Sequence, residues 1–341
     1  MRFRRSNEDS ILKKISEGAG ITLDSRMARG ALVRGIGDDA VLFRPQAGRQ
    51  TILTCDWFLD GTHFLRDKHP PDSVGWKCLA RALSDIAAMG GKPRCFLLSL
   101  ALPASLTGRW LDEFLLGLRR VSAKFQCPLA GGDTTCREEI LINVTVVGEV
   151  QMGRAVLRSG ARPGDLLCVS GRLGEAEMGL RLLKRSKGPA NRKNPLTKKH
   201  LYPEPRLALG QWLAAKGLAS AMVDLSDGLS SDLPRLSAAS GVGARVTAAK
   251  VPTVQSSPRN FKSGADPLRL ALDGGDDYEL LFTVRPNQTK FLSRSFCSIP
   301  LTPIGVVTSR KQIVLADKHG REHPLHPCGW DPFRLSRVAK R

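Results

Sequence analysis

Four acidic clusters in this chain sit against glycines: Gly35-Ile36-Gly37-Asp38-Asp39, Gly131-Gly132-Asp133, Asp224-Leu225-Ser226-Asp227-Gly228 and Gly274-Gly275-Asp276-Asp277. Aspartates also end apolar stretches in Thr54-Cys55-Asp56 and Val223-Asp224. One Asp beside a Gly is ordinary turn chemistry, because Asp bonds its own turn and tolerates left-handed backbone. Turn chemistry does not explain why apolar strands stop at one repeatedly. Carboxylates gathered from tight turns at strand ends are hard oxygen ligands suited to Mg²⁺, which keeps water and takes substrate phosphate oxygens to fill its octahedron. Glycine lets the backbone approach a phosphate closely.

Asp85 adds to this set. It lies in Ala82-Leu83-Ser84-Asp85-Ile86-Ala87-Ala88-Met89, near the end of a helical run that Gly90, Gly91 and Pro93 stop. The helix dipole disfavours a carboxylate there, and a nearby cation would offset the cost; the plainer alternative is pairing with Arg81 at i−4. His63 follows Asp56 by seven residues and, taken alone, reads as structural more readily than catalytic.

Other chemistries lack their motifs. Gly35-x-Gly37-x-x-Ala40 opens a strand rather than a helix, which rejects a dinucleotide fingerprint. There is no G-x-x-x-x-G-K-[ST], no protein-kinase set and no nucleophile elbow. His319, His323, His326 and Cys328 match no common zinc spacing. A reaction that needs positioning and charge neutralisation fits best, and phosphoryl transfer is one.

Elements to carry these residues are readable from periodicity. Strands are expected at residues 40–43, 51–55, 96–102, 140–150, 166–170, 221–223, 278–284 and 304–307. Val74, Cys78, Ala82 and Ile86 repeat at helical spacing after the capping candidates Asp72 and Ser73. Further helices are expected at 106–125, 175–187, 205–216 and 228–239. Strands mixed with helices give an α/β or α+β fold. The turn-rich Ser159–Asp165 marks a junction, and the expected domains are 1–150 and 151–341.

Composition bounds the rest. The 341 residues carry 52 Lys+Arg and 32 Asp+Glu, a net charge of +20, which favours anionic partners without choosing among them. The apolar runs are too short for a membrane span, and an acidic, polar stretch follows the basic start where a signal peptide needs an apolar core. Eight cysteines without a C-x-x-C pair read as reduced, mostly buried thiols of a cytoplasmic protein. Residues 181–200 hold eight Lys/Arg and no acid, and read as a helix end entering a solvated loop.

With these residues in place, the sequence resembles the thiamine-monophosphate kinase family, part of a superfamily with aminoimidazole ribonucleotide synthetase, selenophosphate synthetase and the hydrogenase maturation factor HypE. The resemblance rests on Gly35–Ala40, on Asp56 with Gly61-Thr62-His63-Phe64, on Leu83–Gly90, on Gly131–Thr135, on Arg154 with Arg158–Asp165, on Asp224–Leu229 and on Gly274–Leu280. It implies a two-domain aminoimidazole ribonucleotide synthetase-like fold, homodimeric through N-terminal strands. It also implies direct transfer of the γ-phosphoryl of ATP to thiamine monophosphate, with several Mg²⁺ ions bridging the substrates. By motif, Asp39, Thr54, Cys55, Asp56, Asp85, Asp133, Asp224 and Asp227 would be metal ligands. Gly132, Asp133, Arg158 and Ser226 would lie near ATP, and His63, Asp276 and Trp330 would contact the thiamine substrate.

The resemblance has three departures. Cys55 replaces a usual hydroxyl residue, which would make that metal contact backbone-only; Asp276 replaces Glu; Trp330 replaces Tyr. No general base is assigned, because a phosphate monoester is already largely ionised near neutral pH. The alternatives are another ATP-using enzyme of the same superfamily, or a basic nucleic-acid-binding protein. Aromatics at 6% with no basic-aromatic interleaving speak against the second.

Overall fold

The computed structural model describes residues 8–18, 32–34, 40–188, 190–255 and 265–333. In chain order the elements are α1 (Glu8–Gly18), β1 (Leu32–Arg34), β2 (Leu42–Phe43), β3 (Arg49–Leu59), α2 (Pro71–Ala88), β4 (Lys92–Leu102), α3 (Arg109–Phe125), β5 (Leu129–Cys136) and β6 (Leu141–Gln151). There follow β7 (Leu166–Ser170), α4 (Glu175–Arg185), α5 (Pro195–Leu201), α6 (Leu207–Ala215), β8 (Ala219–Leu225), α7 (Leu229–Ser240) and β9 (Gly243–Thr247). The chain continues through α8 (Pro267–Asp273), β10 (Glu279–Val284), β11 (Ser295–Phe296), β12 (Ile299–Thr308), β13 (Ile313–Ala316) and β14 (Glu322–Pro324). This mixture of helices with two mixed sheets is the expected α/β class.

Two compact units form, one of residues 1–156 with 183–217 and the other of 157–182 with 218–341. The division differs from a single cut after residue 150, because residues 183–217, with most of the basic segment and helices α5 and α6, return to the first unit.

In the first unit the sheet order is β3-β6-β4-β5, antiparallel except for the parallel β4–β5 pair. A parallel neighbour needs a crossover, and α3 supplies it. Val74, Cys78, Ala82 and Ile86 of α2 are all buried, as their spacing requires. The start of that helix departs from expectation. Pro70 is the N-cap and Pro71 the first helical residue, so Asp72 and Ser73 lie inside the first turn. Proline suits that place, where the missing N–H would have no partner anyway.

Gly131-Gly132-Asp133 is not a turn but part of β5. A Cβ on Gly132 would stand 1.8 Å from the Leu98 carbonyl oxygen, so only glycine lets β5 lie this close to β4.

The second unit holds an eight-stranded sheet ordered β14-β13-β9-β12-β7-β10-β8, with β11 paired to β12. Its core joins Leu167 and Val169 of β7, Val223 and Leu225 of β8 and Leu281 of β10 to Leu229, Leu233 and Leu236 of α7. Among the described residues, no helix is long and apolar enough to cross a membrane.

Candidate functional site

In the first unit the acidic residues fall into separate positions. Ile52, Thr54, Asp56 and Phe58 of β3 are more buried than Leu53, Cys55 and Trp57 between them, the alternation of a strand with one covered face. Thr54 Oγ1 donates to Asp85 Oδ2 of α2 at 2.5 Å. This joins a strand hydroxyl to the carboxylate near the end of the helix. Cys55 turns to the other face, where its Sγ lies 3.1 Å from Asn143 Nδ2. Its side chain is therefore directed away from Asp85, and only its backbone remains on offer to an ion beside Thr54.

Register locates Asp133. The row from Asp56 runs through Val144 and Leu98 to Gly132, while Asp133 shares its row with Ser99, Asn143 and Trp57. One residue of offset turns a side chain to the other face. Asp133 is exposed and accepts the Thr134 N–H at 2.9 Å. Asp39 lies outside the described residues. His63 Nδ1 accepts the Leu59 N–H at 3.0 Å, which leaves the proton of the neutral ring on Nε2. The ring lies 6.0 Å from Phe58, itself beneath the Arg81 guanidinium.

In the second unit three separated motifs meet. The turn after β8 carries Ser226 and Asp227 into α7. The Ser226 carbonyl accepts the Asp276 N–H at 2.8 Å, and the Asp227 carbonyl accepts the Trp330 N–H at 2.9 Å. Gly329 makes the second junction possible, since a Cβ there would meet the Asp227 carbonyl oxygen at 1.9 Å. Ser226, Asp227, Asp276 and half-exposed Trp330 are thus held around one turn. Asp224 is buried at the end of β8, paired in register with Leu280. Arg158 is exposed, and its carbonyl accepts from Ser240 Oγ at 2.9 Å.

The Gly274–Leu280 turn is conformationally costly. Asp276 at φ 67° and Tyr278 at φ 51° are both left-handed, which Asp tolerates and an aromatic side chain resists. The Tyr278 hydroxyl donates to Asp276 Oδ1 at 2.7 Å and holds that carboxylate in place. Strain of this kind persists where the surroundings over-determine it, often at functional turns.

Three supporting residues lie outside the roles that the motifs imply. Asp277 accepts the Gly174 N–H at 2.6 Å and the Ala176 N–H at 3.1 Å, capping α4 from a distant strand end. Arg235 bridges Asp227 and Asp232, its Nη1 at 2.5 Å from an oxygen of each. Burial first, and the Asp227 charge second, lift the Asp232 carboxyl to about 7. The i,i+3 spacing of Asp232 and Arg235 was a readable signal for that pair; nothing local announces the capping role of Asp277.

No group of three or more His, Cys, Asp or Glu side chains able to hold a metal ion forms among the described residues. The donors present are carboxylate and hydroxyl oxygens in ones and twos. That set fits Mg²⁺, which takes one or two carboxylates plus phosphate and water rather than an all-protein cage.

Comparison with known proteins gives the family. The family model described as AIR synthase related protein, N-terminal domain, matches residues 37–150, and its C-terminal counterpart matches residues 162–318. The protein is thus a two-domain AIR synthase related enzyme. Within that class the thiamine-monophosphate kinase of Escherichia coli is 38% identical over 303 residues, 88% of this chain and 91% of its own. The crystal structure of thiamine-monophosphate kinase from Stenotrophomonas maltophilia superposes with a TM-score of 0.76 at 35% identity, covering 89% of this chain and 94% of that one. A structure described as AaThiL complexed with AMPPCP and TMP gives 0.75 at 32% identity, covering 98% and 99%. The chain belongs to the thiamine-monophosphate kinase family.

Proposed function

We propose that this enzyme transfers the γ-phosphoryl of ATP in line to thiamine monophosphate, giving thiamine diphosphate and ADP, with the help of several Mg²⁺ ions. The observation that carries the reading is the likeness, over nearly the full length of both chains, to a ThiL complexed with AMPPCP and TMP.

In this reading the chain supplies hard oxygen ligands and positioning. Thr54 with Asp85, and Asp56, would hold metal on the covered face of the sheet, Asp133 would do so from the other face, and Asp224, Asp227 and Asp39 would complete the ligand set. Bound Mg²⁺ supplies the positive charge that lets two polyanions approach each other. Cys55 contributes through its carbonyl at most. Gly132 lets the nucleotide come close to the backbone, and Ser226 and Arg158 contact its phosphates. His63, Asp276 and Trp330 receive the thiamine substrate: Trp330 by stacking, Asp276 as an acceptor fixed by Tyr278. A base is not required, because the attacking monoester is largely ionised at neutral pH.

We further propose a homodimer built on the open face of β3, in the cytoplasm. Leu53 and Trp57 on that face are 69% and 56% exposed, a cost that a second copy would remove. All eight cysteines are free thiols, in keeping with a reducing compartment. The test of the function is ADP release by purified protein in a coupled assay: turnover that requires both thiamine monophosphate and millimolar Mg²⁺ supports it, and its absence refutes it.

A further inference from the structure

The return of residues 183–217 to the first unit builds a cavity that the proposed chemistry does not use. It has a volume of about 400 Å³, and α2, α3 and the 190–204 segment contribute its walls. Trp76 lies nine residues before Asp85 on α2, about 14 Å along the axis at 1.5 Å per residue.

Four cations line this cavity, Arg120, Lys124, Arg192 and Lys198, against one lining carboxylate, Glu204. Beside them the carboxylate of Asp72, whose side chain is 8% exposed, organises the wall. It accepts from Tyr202 Oη at 2.8 Å, pairs with Arg192 Nη2 at 2.9 Å and lies 3.5 Å from Arg120 Nη1. The hydroxyl of Tyr202 is held protonated well above its ordinary range, by burial first and by Asp72 second. The aromatic rings set the cations. Arg120 lies 5.6 Å from the Trp76 ring and 5.9 Å from that of Tyr202, and Lys124 lies 5.7 Å from the Trp76 ring. Trp76 is fixed in turn by its Nε1–H donating to the Pro203 carbonyl at 2.8 Å.

Counting Asp72 and Glu204 against the four cations leaves an excess of two positive charges in one concave site. Each guanidinium has five N–H donors, more than one shared carboxylate can absorb, and guanidinium and ammonium groups in a cleft bind phosphate oxygens through charge-assisted bonds. We propose that this cavity binds a small phosphate-class polyanion of the size and charge of a diphosphate group. The site is distinct from the acidic motifs and does not depend on the function proposed for them. It also gives the basic 181–200 segment a role: Arg192 and Lys198 complete the anion site.

The test uses the full chain and inorganic pyrophosphate in excess EDTA. Without divalent cations the acidic motifs repel phosphates, so binding there is suppressed. Isothermal titration should give one saturable site per chain with a dissociation constant below about 1 mM. Trp76 should report it as a fluorescence change that Trp76→Phe removes. The double variant Lys124→Gln/Lys198→Gln leaves every bond to Asp72 in place and gives up only the exposed Lys124–Glu204 pair, worth under about 1 kcal/mol, so it should melt within about 4 °C of the parent and weaken binding at least about tenfold. No saturation by about 10 mM, equal affinity in parent and double variant, or the same response to sulfate at matched ionic strength would overturn the proposal. So would a single-stranded RNA that binds through these residues where pyrophosphate does not.

Discussion

The proposed function divides the adjacent Asp276 and Asp277 between chemistry and scaffold, and Asp277→Ala tests the division. Asp277 is 2% exposed and accepts two backbone N–H groups at the start of α4, at 2.6 and 3.1 Å. Charge-assisted hydrogen bonds contribute about 1.5 kcal/mol each at the low end, and truncation leaves two buried donors unpaired. The lost complement to the helix dipole adds about 0.5 kcal/mol. The expected cost is therefore about 3 to 4 kcal/mol. For a unit of about 150 residues this is a fall in melting temperature of roughly 10 °C. Circular dichroism at 222 nm against temperature, with urea unfolding alongside, measures both. Asp276→Asn keeps the shape of its side chain and should melt within about 2 °C of the parent while raising KM for thiamine monophosphate. A loss below about 1 kcal/mol in Asp277→Ala would refute the capping argument, and an equal loss of stability in both variants would refute the division.

Other outcomes follow from single contacts. Gly132→Ala sets a Cβ 1.8 Å from the Leu98 carbonyl oxygen and should destabilise the first unit by about 3 kcal/mol or more, read as a shift of the urea midpoint. Of the eight thiols, Cys55, Cys136, Cys297 and Cys328 are exposed in the single chain; Cys136, Cys297 and Cys328 should react with Ellman's reagent in the native protein, and Cys55, on the face assigned to the dimer, only where the dimer dissociates. Cys78, Cys95, Cys127 and Cys168 should react only on unfolding, with burial lifting the Cys78 and Cys168 thiols to about 12; rapid titration of more than four would contradict this. Trp330→Tyr should keep KM for thiamine monophosphate within a few-fold, whereas Trp330→Ala should raise it about tenfold or more through the lost stacking face, with the melting temperature unchanged. Steady-state kinetics on both variants checks this.

Helical periodicity and apolar runs made the covered face of α2 and the strand at 166–170 readable before any coordinates. β5 was not, because its Gly131-Gly132-Asp133 has the composition of a turn and becomes a strand only through close packing on Leu98. α5 and α8 were missed for a more instructive reason. Asn194-Pro195 and Asp266-Pro267 look like loop punctuation, yet each is an N-cap followed by a proline at the first helical position, with the side-chain oxygen accepting from Leu196 and Thr197 in one and from Leu268 in the other. The return of 183–217 to the first unit had no local signal, since its partners lie over a hundred residues earlier, as in the bonds of Tyr202 to Asp72 in α2 and of Gln211 to the Gly91 carbonyl just after that helix.

For the site, the motifs named the acidic residues but not their geometry. Strand alternation separates Cys55 from Thr54, and the sheet register offsets Asp133 from Asp56, both long-range consequences of pairing with β6 and β4. The joining of Ser226 to Asp276 and of Asp227 to Trp330 likewise depends on tertiary backbone bonds that no motif records.

Direct phosphoryl transfer to thiamine monophosphate is the central claim, and the fate of the γ-phosphoryl tests it most directly. With [γ-³²P]ATP, thiamine monophosphate and Mg²⁺, the label should appear in thiamine diphosphate in equal amount to the ADP formed, and Asp133→Asn should abolish the product while melting like the parent. Label recovered as inorganic phosphate, or ADP formed at the same rate without thiamine monophosphate, would contradict it.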